Sequence, residues 1–503
     1  MKKSKVWNLL LIAVVALPLM VSCSKDDDGS TGGNGGTNTN GNTNPNPPVA
    51  DIHVVVNEDG TTSNGSLFSA IDDKNFYVDY IKYTVEEGHL VVSGYDKTGF
   101  KGVANIVASI KYKLNTYEVT KISGEEREKK AYSAFDESLT SITIPSTVTS
   151  IDYYAFSGCS GLTSITIPNS VKSIGVSAFR GCSGLTSITI PASVSSIGHS
   201  AFRGCSGLAS ITIPASVTSI GNVVFSGCNG LTSIKVESGN TIYDSRDNCN
   251  AIIETATNKL IAGCKNSTIP NSVTTIGSSA FYECDGLTSV NIPEKVTSIG
   301  SYAFQGCSGL TSITIPASVT FIGDCAFYNC SGLTSVKIED GETVLAFSSS
   351  SYSVFGCPVK KLYLGRNISY PEYYSPFSNN MNLTTLIVGN NVTSISRYAF
   401  SGCSGLTSVT IGNSVKSIGN WSFSGCSGLT SVTIPASVTS IDDWAFWGCR
   451  LTSIHCLGTT PPSTTNDSFS QNTYEIATFY VPIGSYSAYK NTDPWKYLNI
   501  VEE

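Results

Sequence analysis

Apolar and polar residues alternate in short stretches along most of this chain, and the same stretch returns many times. Residues 162–182 form a representative unit. Within it, Ile165 and Ile167 alternate with Ser164 and Thr166, which is the period-two pattern of a half-buried strand. Each unit therefore predicts a strand with one face toward a core and the other toward solvent.

The remainder of the unit predicts two further segments. Pro168 ends the first strand because proline lacks an N–H donor, and Val171 and Ile174 predict a second, shorter inward-facing segment. Gly175 permits the corner that follows. The apolar residues at positions 178, 179 and 182 have the spacing of one helical turn, so we expect a short helix to close the unit.

The unit repeats with a period of about 23 residues, as the cysteines at positions 159, 182 and 205 illustrate. A fixed period of this size predicts a solenoid, because one unit cannot bury its apolar residues alone whereas stacked units share a core. We therefore expect a mainly β fold in which residues 131–457 form a β-solenoid of about 13 coils. One phenylalanine marks each coil: Phe135, Phe156, Phe179, Phe202, Phe225, Phe281, Phe304, Phe327, Phe355, Phe377, Phe400, Phe423 and Phe446.

The ends of a solenoid expose strand edges and apolar core, so flanking segments must cover them. Residues 51–130 are rich in predicted strands, one of them running from Ile110 to Thr120, and we expect them to form an N-terminal β-rich cap domain. Residues 458–503 predict a C-terminal cap made of a strand and a short helix. Between coils, residues 236–269 form an insertion that predicts a β-hairpin.

The first 50 residues predict signals for export of the protein and for its attachment to a membrane. Residues 1–22 combine lysines with an apolar run too short to span a bilayer, which is typical of a cleaved signal peptide. Cys23 follows a small residue and resembles the lipidated cysteine of bacterial lipoproteins; an ordinary signal with an incidental cysteine is the alternative. Residues 23–50 then predict a flexible Gly/Asn/Thr/Pro tether.

The location of the protein follows from those signals. The acidic run at residues 26–28 resembles the signal that exports some lipoproteins to the cell exterior, although a solvated charge run has the same composition. We therefore expect a protein lipid-anchored in the outer membrane and facing outward. Its only membrane contact would be the anchor.

Composition excludes several classes of function. Charged residues make up 14% of the chain and the net charge is −7, so no basic stripe is available for nucleic acid. The four histidines are isolated, and no phosphate-binding, zinc-protease or nucleophile-elbow motif occurs. The sequence therefore predicts no catalysis, no cofactor and no metal site. Residues 244–250 depart from the spacing of a calcium loop and favour a hydrogen-bonded turn.

The repeated motif itself closely resembles the BspA-like leucine-rich repeats. The resemblance rests on Leu-Thr-Ser-Ile-Thr-Ile-Pro, Ser-Ile-Gly and Ala-Phe-x-Gly-Cys in successive units, and it covers residues 135–457. It implies a leucine-rich-repeat β-solenoid displayed on a bacterial surface. Some members of that family are adhesins that bind host extracellular-matrix proteins or other bacterial-surface proteins.

Sixteen cysteines in an exported protein raise the question of disulfides. Ten of them occupy one position of the repeat, so we expect them to line the core as free thiols, because parallel side chains fit disulfide geometry poorly. Cys249 and Cys264 lie in the insertion, outside that register. They are the one pair for which a bond is considered.

Two exposed surfaces are candidates for binding. The outward positions of the first strands form a Ser/Thr array, for which solubility of an exposed strand face is the simpler explanation. The second surface, called the ridge below, consists of Arg397, Tyr398, Trp421, Trp444 and Trp447 on three successive coils. Flat side chains on an outer edge suit protein interfaces and sugar stacking, although they also stabilise one another.

These features lead to two hypotheses. The first is an adhesin-like scaffold that binds a protein of the host matrix or of another bacterial surface. The second is a surface glycan-binding lipoprotein that uses the aromatic ridge.

Overall fold

The computed structural model describes residues 51–127, 130–348, 354–371 and 375–503. Cys23, the predicted signal peptide and the predicted tether lie outside the described residues. Where the chain is described, its backbone is mainly β-strand and turn with very few helical residues, as expected.

Residues 51–132 form ten strands that are mostly antiparallel. The predicted strand from Ile110 to Thr120 is wrong, because the backbone at Lys113 is left-handed (φ 57°) and reverses the chain between two paired strands. The strands are β1 (His53–Val55), β2 (Phe68–Ala70), β3 (Asn75–Val78), β4 (Ile81–Glu86), β5 (His89–Tyr95), β6 (Val103–Asn105), β7 (Ser109–Tyr112), β8 (Asn115–Ile122), β9 (Glu125–Arg127) and β10 (Lys130–Tyr132).

The repeat then alternates a strand of three or four residues with a strand of two. These are β11 (Ser141–Thr143), β12 (Ser150–Ile151), β13 (Ser164–Thr166), β14 (Ser173–Ile174), β15 (Ser187–Thr189), β16 (Ser196–Ile197), β17 (Ser210–Ile213), β18 (Ser219–Ile220) and β19 (Ser233–Val236). Strand β12 pairs in parallel with β8, so the N-terminal sheet continues into the solenoid. The role of residues 51–130 as a cap stays a prediction.

Successive coils pair in parallel and in register, so like residues stack on like residues. Ile165 lies opposite Ile188, and Ile174 lies opposite Ile197. The isoleucines are buried while Ser164 and Thr166 are exposed, which confirms the predicted half-buried strand. The core is therefore built from columns of identical or similar apolar residues.

The corner that closes each coil is a pair of tight turns and not the expected helix. The N–H of Arg180 donates to the carbonyl of Ser177, and the N–H of Cys182 donates to that of Phe179. Ser177 and Gly181 are both left-handed, with φ of 56° and 74°. A right-handed helix cannot continue through such residues, which explains the difference.

The insertion contains the predicted hairpin. Its strands are β20 (Tyr243–Asp244), β21 (Ala251–Glu254) and β22 (Lys259–Gly263), with a 3-10 helix at Arg246–Asn248, and β21 pairs antiparallel with β22. Ala251 and Ile253 belong to the apolar core on the C-terminal side, whereas Ile252 and Ala262 belong to the core on the N-terminal side. The hairpin therefore separates two apolar cores.

The two-strand pattern resumes after the hairpin, except that no strand of three or four residues lies between β23 and β24. Its strands are β23 (Thr275–Ile276), β24 (Ser298–Ile299), β25 (Ser312–Ile315), β26 (Phe321–Ile322), β27 (Ser335–Ile338), β28 (Leu345–Phe347), β29 (Lys361–Leu364), β30 (Ile368–Ser369), β31 (Thr385–Val388), β32 (Ser394–Ile395), β33 (Ser408–Thr410), β34 (Ser417–Ile418), β35 (Ser431–Ile434), β36 (Ser440–Ile441) and β37 (Ser453–Cys456).

The C-terminal residues add α1 (Gln471–Ile476), β38 (Thr478–Val481), α2 (Tyr486–Lys490), a 3-10 helix at Trp495–Tyr497 and β39 (Asn499–Glu502). Strand β38 continues the sheet of β35 and β37, and β39 pairs with β38. A strand and a short helix are present as expected, whereas α1 and β39 were not expected. Whether this segment acts as a cap stays a prediction.

The predicted phenylalanines form two stacked columns inside the solenoid, one from Phe135 to Phe225 and one that begins at Phe281, after the hairpin. Neighbouring rings such as Phe304 and Phe327 lie 5.2 Å apart between centroids and are nearly parallel, at 5°. Phe469 adds a coil beyond Phe446, at 5.4 Å. The solenoid has about 15 coils, slightly more than the repeat motif alone indicated.

Candidate functional site: an aromatic ridge on the C-terminal coils

Three of the predicted ridge residues form one continuous stack of rings. The centroids of Tyr398 and Trp421 are 6.2 Å apart with planes inclined by 19°, and those of Trp421 and Trp444 are 4.8 Å apart at 22°. The guanidinium carbon of Arg397 lies 4.9 Å from the centroid of Tyr398. We call Tyr398, Trp421 and Trp444 the ring stack.

Trp447 does not join the ring stack. It directly follows the buried Phe446, its side chain is 42% exposed, and it makes no ring contact with any aromatic residue in the described part of the chain. The structure therefore brings together four of the five predicted ridge residues.

The backbone explains why the rings of the stack lie on the outer edge. Tyr398, Trp421 and Trp444 occupy one repeat position, two residues before the buried phenylalanine, and their φ angles are 58°, 59° and 56°. Other coils have the same left-handed backbone there: Tyr154, Ser177, Ser200, Val223, Ser279, Tyr302 and Cys325, with φ between 48° and 62°. These ten coils share one backbone conformation at this position although their side chains differ.

Side-chain size decides how far this position reaches outward. Serine is covered by its neighbours, since Ser177 is 4% exposed, whereas the ring of Tyr302 is 40% exposed. An aromatic residue costs about 1 to 2 kcal/mol more than glycine in a left-handed conformation. Because serine satisfies the same turn, the fold does not require a ring here.

The two tryptophans of the stack keep unused hydrogen-bond donors. Buried Trp495 donates its indole N–H to the carbonyl of Pro462 at 2.9 Å. The indole N–H groups of Trp421 and Trp444, in contrast, have no acceptor among the described residues. They are half-buried, so these donors are available to a ligand.

Carboxylates line a groove next to the C-terminal end of the ridge. The groove has a volume of about 410 Å³ and is lined by Asn420, Ile441, Asp442, Asp443 and residues 463–465. Burial, and then the charge of Asp443, raises the pKa of Asp442 above its ordinary value. Neither carboxylate is paired with a cation in the described part of the chain.

Asp442 and Asp443 were not among the predicted site residues. The sequence could have indicated them, because the pair Asp442-Asp443 directly precedes Trp444, which was a predicted site residue. Asp467, on the next coil, had no such signal, since that coil lacks the Phe-x-Gly-Cys motif. Its carbonyl accepts the backbone N–H of Trp444 at 2.9 Å, which places it beside the ring stack.

The predicted Ser/Thr array is present on the first strands. Ser164, Thr166 and their counterparts on β15 pair in register and are exposed. On β27, β29 and β31 the array is interrupted by Lys337, Tyr363 and Ile387, which lie in register with one another. The array therefore carries one mixed patch of basic, aromatic and apolar side chains.

The repeat-position cysteines carry free thiols in the described part of the chain. Each of eight Sγ atoms donates to the carbonyl of a phenylalanine 26 residues earlier, at 3.0 to 3.2 Å; an example is Cys205 to Phe179. Burial raises the pKa of Cys330 and Cys403 to about 12. The thiols of Cys330 and Cys403 are therefore structural donors and not reactive thiolates.

Cys249 and Cys264 are also free thiols. They belong to opposite apolar cores, since Cys249 packs on the C-terminal side of the hairpin and Cys264 on the N-terminal side. The loop at 244–250 is a hydrogen-bonded turn, as expected, in which Arg246 Nε donates to both carboxylate oxygens of Asp244 at 2.8 and 3.0 Å.

Comparison with known families identifies the repeat. The profile described as BspA type leucine rich repeat region (6 copies) matches residues 126–252, 259–375 and 373–492, which together exceed half of the chain. The chain belongs to the BspA-type leucine-rich-repeat family. The resemblance stated above is thereby confirmed and extends beyond residues 135–457.

Three solved structures are similar to this chain over most of its length. A leucine-rich repeat protein from Bacteroides ovatus ATCC 8483 is 27% identical, with a TM-score of 0.52, over 85% of this chain and 99% of that one. A leucine-rich repeat protein from Eubacterium ventriosum ATCC 27560 is 23% identical over 77% and 96%, with a TM-score of 0.46. The pneumococcal vaccine antigen PcpA is 19% identical over 86% and 98%, with a TM-score of 0.46.

Among curated proteins, none matches this chain. Within the described ranges, no helix has the length and hydrophobicity needed to cross a bilayer. No group of three or more His, Cys, Asp or Glu side chains in those ranges is arranged to hold a metal ion.

Proposed function

We propose that this protein is a binding scaffold anchored by lipid at Cys23 in the outer membrane, facing the cell exterior, and that it binds a protein of the host matrix or of another bacterial surface. Membership of the leucine-rich-repeat family supports a role in protein interaction at a surface. That membership points to no enzyme family. The proposal assigns the solenoid to display of a contact surface and assigns it no catalytic step.

The ring stack is the observation that carries this proposal. It places three large rings, and two indole donors that have no acceptor among the described residues, at a position where three other coils have serine. Aromatic residues and arginine dominate the energetics of protein interfaces because they provide large, rigid contact areas with a polar atom. Arg397 beside Tyr398 adds that residue type to the same surface.

A panel of immobilised extracellular-matrix proteins and bacterial surface proteins tests the proposal with the purified chain. We expect saturable binding to at least one of them, and we expect the triple variant Tyr398→Ser, Trp421→Ser, Trp444→Ser to lose it. Tyr302→Ser is the matched control, because it removes a ring from the same repeat position on a distant coil. Binding that is equally sensitive to the control would contradict the assignment of the ridge.

A glycan ligand is the second candidate, and the unused indole N–H groups of Trp421 and Trp444 favour it, since sugars offer hydroxyl acceptors beside apolar faces. The stack itself weighs against it, because Trp421 is stacked on both Tyr398 and Trp444. A glycan array with the purified chain separates the two candidates. Hits that disappear in the triple variant would replace the protein ligand with a sugar.

A further inference from the structure

The two ends of the ring stack are chemically different. At the N-terminal end, the guanidinium of Arg397 lies over the ring of Tyr398. A planar cation of the chain itself therefore covers this end. Guanidinium groups stack on aromatic faces because the ring quadrupole attracts the cation and the flat group is weakly hydrated.

At the C-terminal end, Trp444 stacks on Trp421, and no other ring or cation in the described ranges contacts it. The next coil continues the backbone pairing, since the N–H of Trp444 donates to the carbonyl of Asp467. That coil provides no ring to extend the stack. Trp444 is therefore the last ring, with one neighbour where Trp421 has two.

Carboxylates collect at this same end. Asp442 and Asp443 precede Trp444 in the chain, and Asp467 lies beside it on the next coil, where its side chain is exposed. The hydroxyl of Thr465 donates to one oxygen of Asp443 and leaves the other free. None of the three carboxylates forms an ion pair with a described cation.

Like charges held together without a counterion favour the approach of a cation. The pKa of Asp442 is raised by burial and by Asp443, which is the effect expected of carboxylates that lack a positive partner. Asp442 and Asp443 also line an open groove of about 410 Å³; Trp444 follows Asp443 in the chain and lies outside the lining of that groove.

We infer that the C-terminal end of the ridge binds an arginine side chain of the protein partner, stacked on Trp444 and paired with Asp443 and Asp467. This inference rests on the proposed protein-binding function and adds the chemistry of the contact. The partner's guanidinium would repeat at this end the arrangement that Arg397 and Tyr398 make at the other. Charge complementarity selects this occupant over a neutral sugar, because a sugar leaves the carboxylates without a counterion.

Two synthetic peptides test the inference with the purified chain. The first is a blocked peptide of four Gly-Arg repeats, and the second has citrulline in place of arginine, which keeps the shape and removes the charge. We expect the arginine peptide to quench tryptophan fluorescence saturably and to bind at least tenfold more tightly than the citrulline peptide. Its affinity should fall as salt rises.

Three variants locate the site. Trp444→Ser and the double variant Asp443→Asn, Asp467→Asn should each weaken binding of the arginine peptide at least tenfold, whereas Tyr302→Ser should leave it unchanged. The Asn substitutions preserve size, so the double variant remains informative if Trp444→Ser disturbs the coil. Equal binding of both peptides, or full binding by the Asn double variant, would overturn the inference.

The remaining outcomes separate this inference from the proposed function. If the chain binds a protein of the matrix panel through the ring stack but not the arginine peptide, the scaffold function stands and the arginine contact is wrong. If it binds cellohexaose through Trp444 and neither peptide, the ligand is a glycan and both proposals fail.

Discussion

Substituting Phe304 tests whether the stacked phenylalanine column supports each coil through its nearest neighbours. Phe304 is fully buried, and its ring lies 5.1 Å from Phe281 and 5.2 Å from Phe327. Backbone hydrogen bonds between coils, such as Phe304 to Ala326 at 2.8 Å, fix the coil spacing, so a cavity left by the missing ring cannot close.

Buried aromatic residues cost about 3 to 5 kcal/mol when they are replaced by alanine, and we therefore expect Phe304→Ala to cost about 4 to 5 kcal/mol. Two lost ring pairs account for about 1 to 3 kcal/mol of this, at 0.5 to 1.5 kcal/mol each. The matched control is Phe321→Ala on the next coil, where the ring is 40% exposed and should cost less than about 1 kcal/mol.

Hydrogen exchange read by mass spectrometry measures both the size and the extent of the effect. Coupling in a solenoid is mainly between neighbours, and the hairpin separates two apolar cores. Protection should fall in β24 to β27 and persist in β12 to β16. An equal loss of protection on both sides of the hairpin, or an equal cost for Phe321→Ala, would refute this reasoning.

Three further predictions concern the core, the groove and the coil corners. Cys205→Ala should lower the free energy of unfolding in urea by about 1 to 2 kcal/mol, because it removes buried volume and a weak hydrogen-bond donor to the carbonyl of Phe179. A larger loss, together with a newly reactive thiol elsewhere in the chain, would indicate that Cys205 forms a disulfide. Asp442→Asn should raise the melting temperature at neutral pH and have little effect in acid. The pKa of Asp442 is raised in the folded state, so the charged carboxylate destabilises that state above this pKa, and protonation removes the destabilisation as the pH falls. An unchanged difference across a pH titration of melting temperatures would contradict it. Gly198→Ala should lower the melting temperature markedly, because the added Cβ would lie 2.5 Å from the backbone of Gly175 on the preceding coil. An unchanged melting temperature would show that neighbouring coils can move apart to accept the methyl group.

Much of the scaffold could be predicted from the spacing of a few residue types. The alternation around Ile165 and the spacing of the phenylalanines determine both the strands and the stacking, because identical residues at one repeat position must lie above one another in a solenoid. Alignment of Tyr398, Trp421 and Trp444 predicted the ring stack for the same reason.

Other features depended on contacts that spacing does not reveal. The left-handed backbone at Ser177 and Trp444 replaced the expected helix, and neither residue is one that normally signals such a conformation. Phe469 and Asp467 lie in a coil without the complete motif, so their stacking and position became visible only in three dimensions.

The hairpin is an intermediate case. Ala251, Ile252 and Ile253 form an unbroken apolar run, which is typical of a strand buried on both faces. The run indicated burial, but only the structure showed that its two faces meet different cores.

The most direct test of the central claim is the affinity of the purified chain for its protein ligand from the matrix and surface panel, measured with and without the ring stack. Replacing Tyr398, Trp421 and Trp444 by serine removes three anchors, each expected to contribute about 1 to 2 kcal/mol, so the dissociation constant should rise at least 100-fold. Hydrogen exchange of the variant should show an intact solenoid. An unchanged dissociation constant in the intact variant would contradict the claim that this protein binds its partner through the ridge.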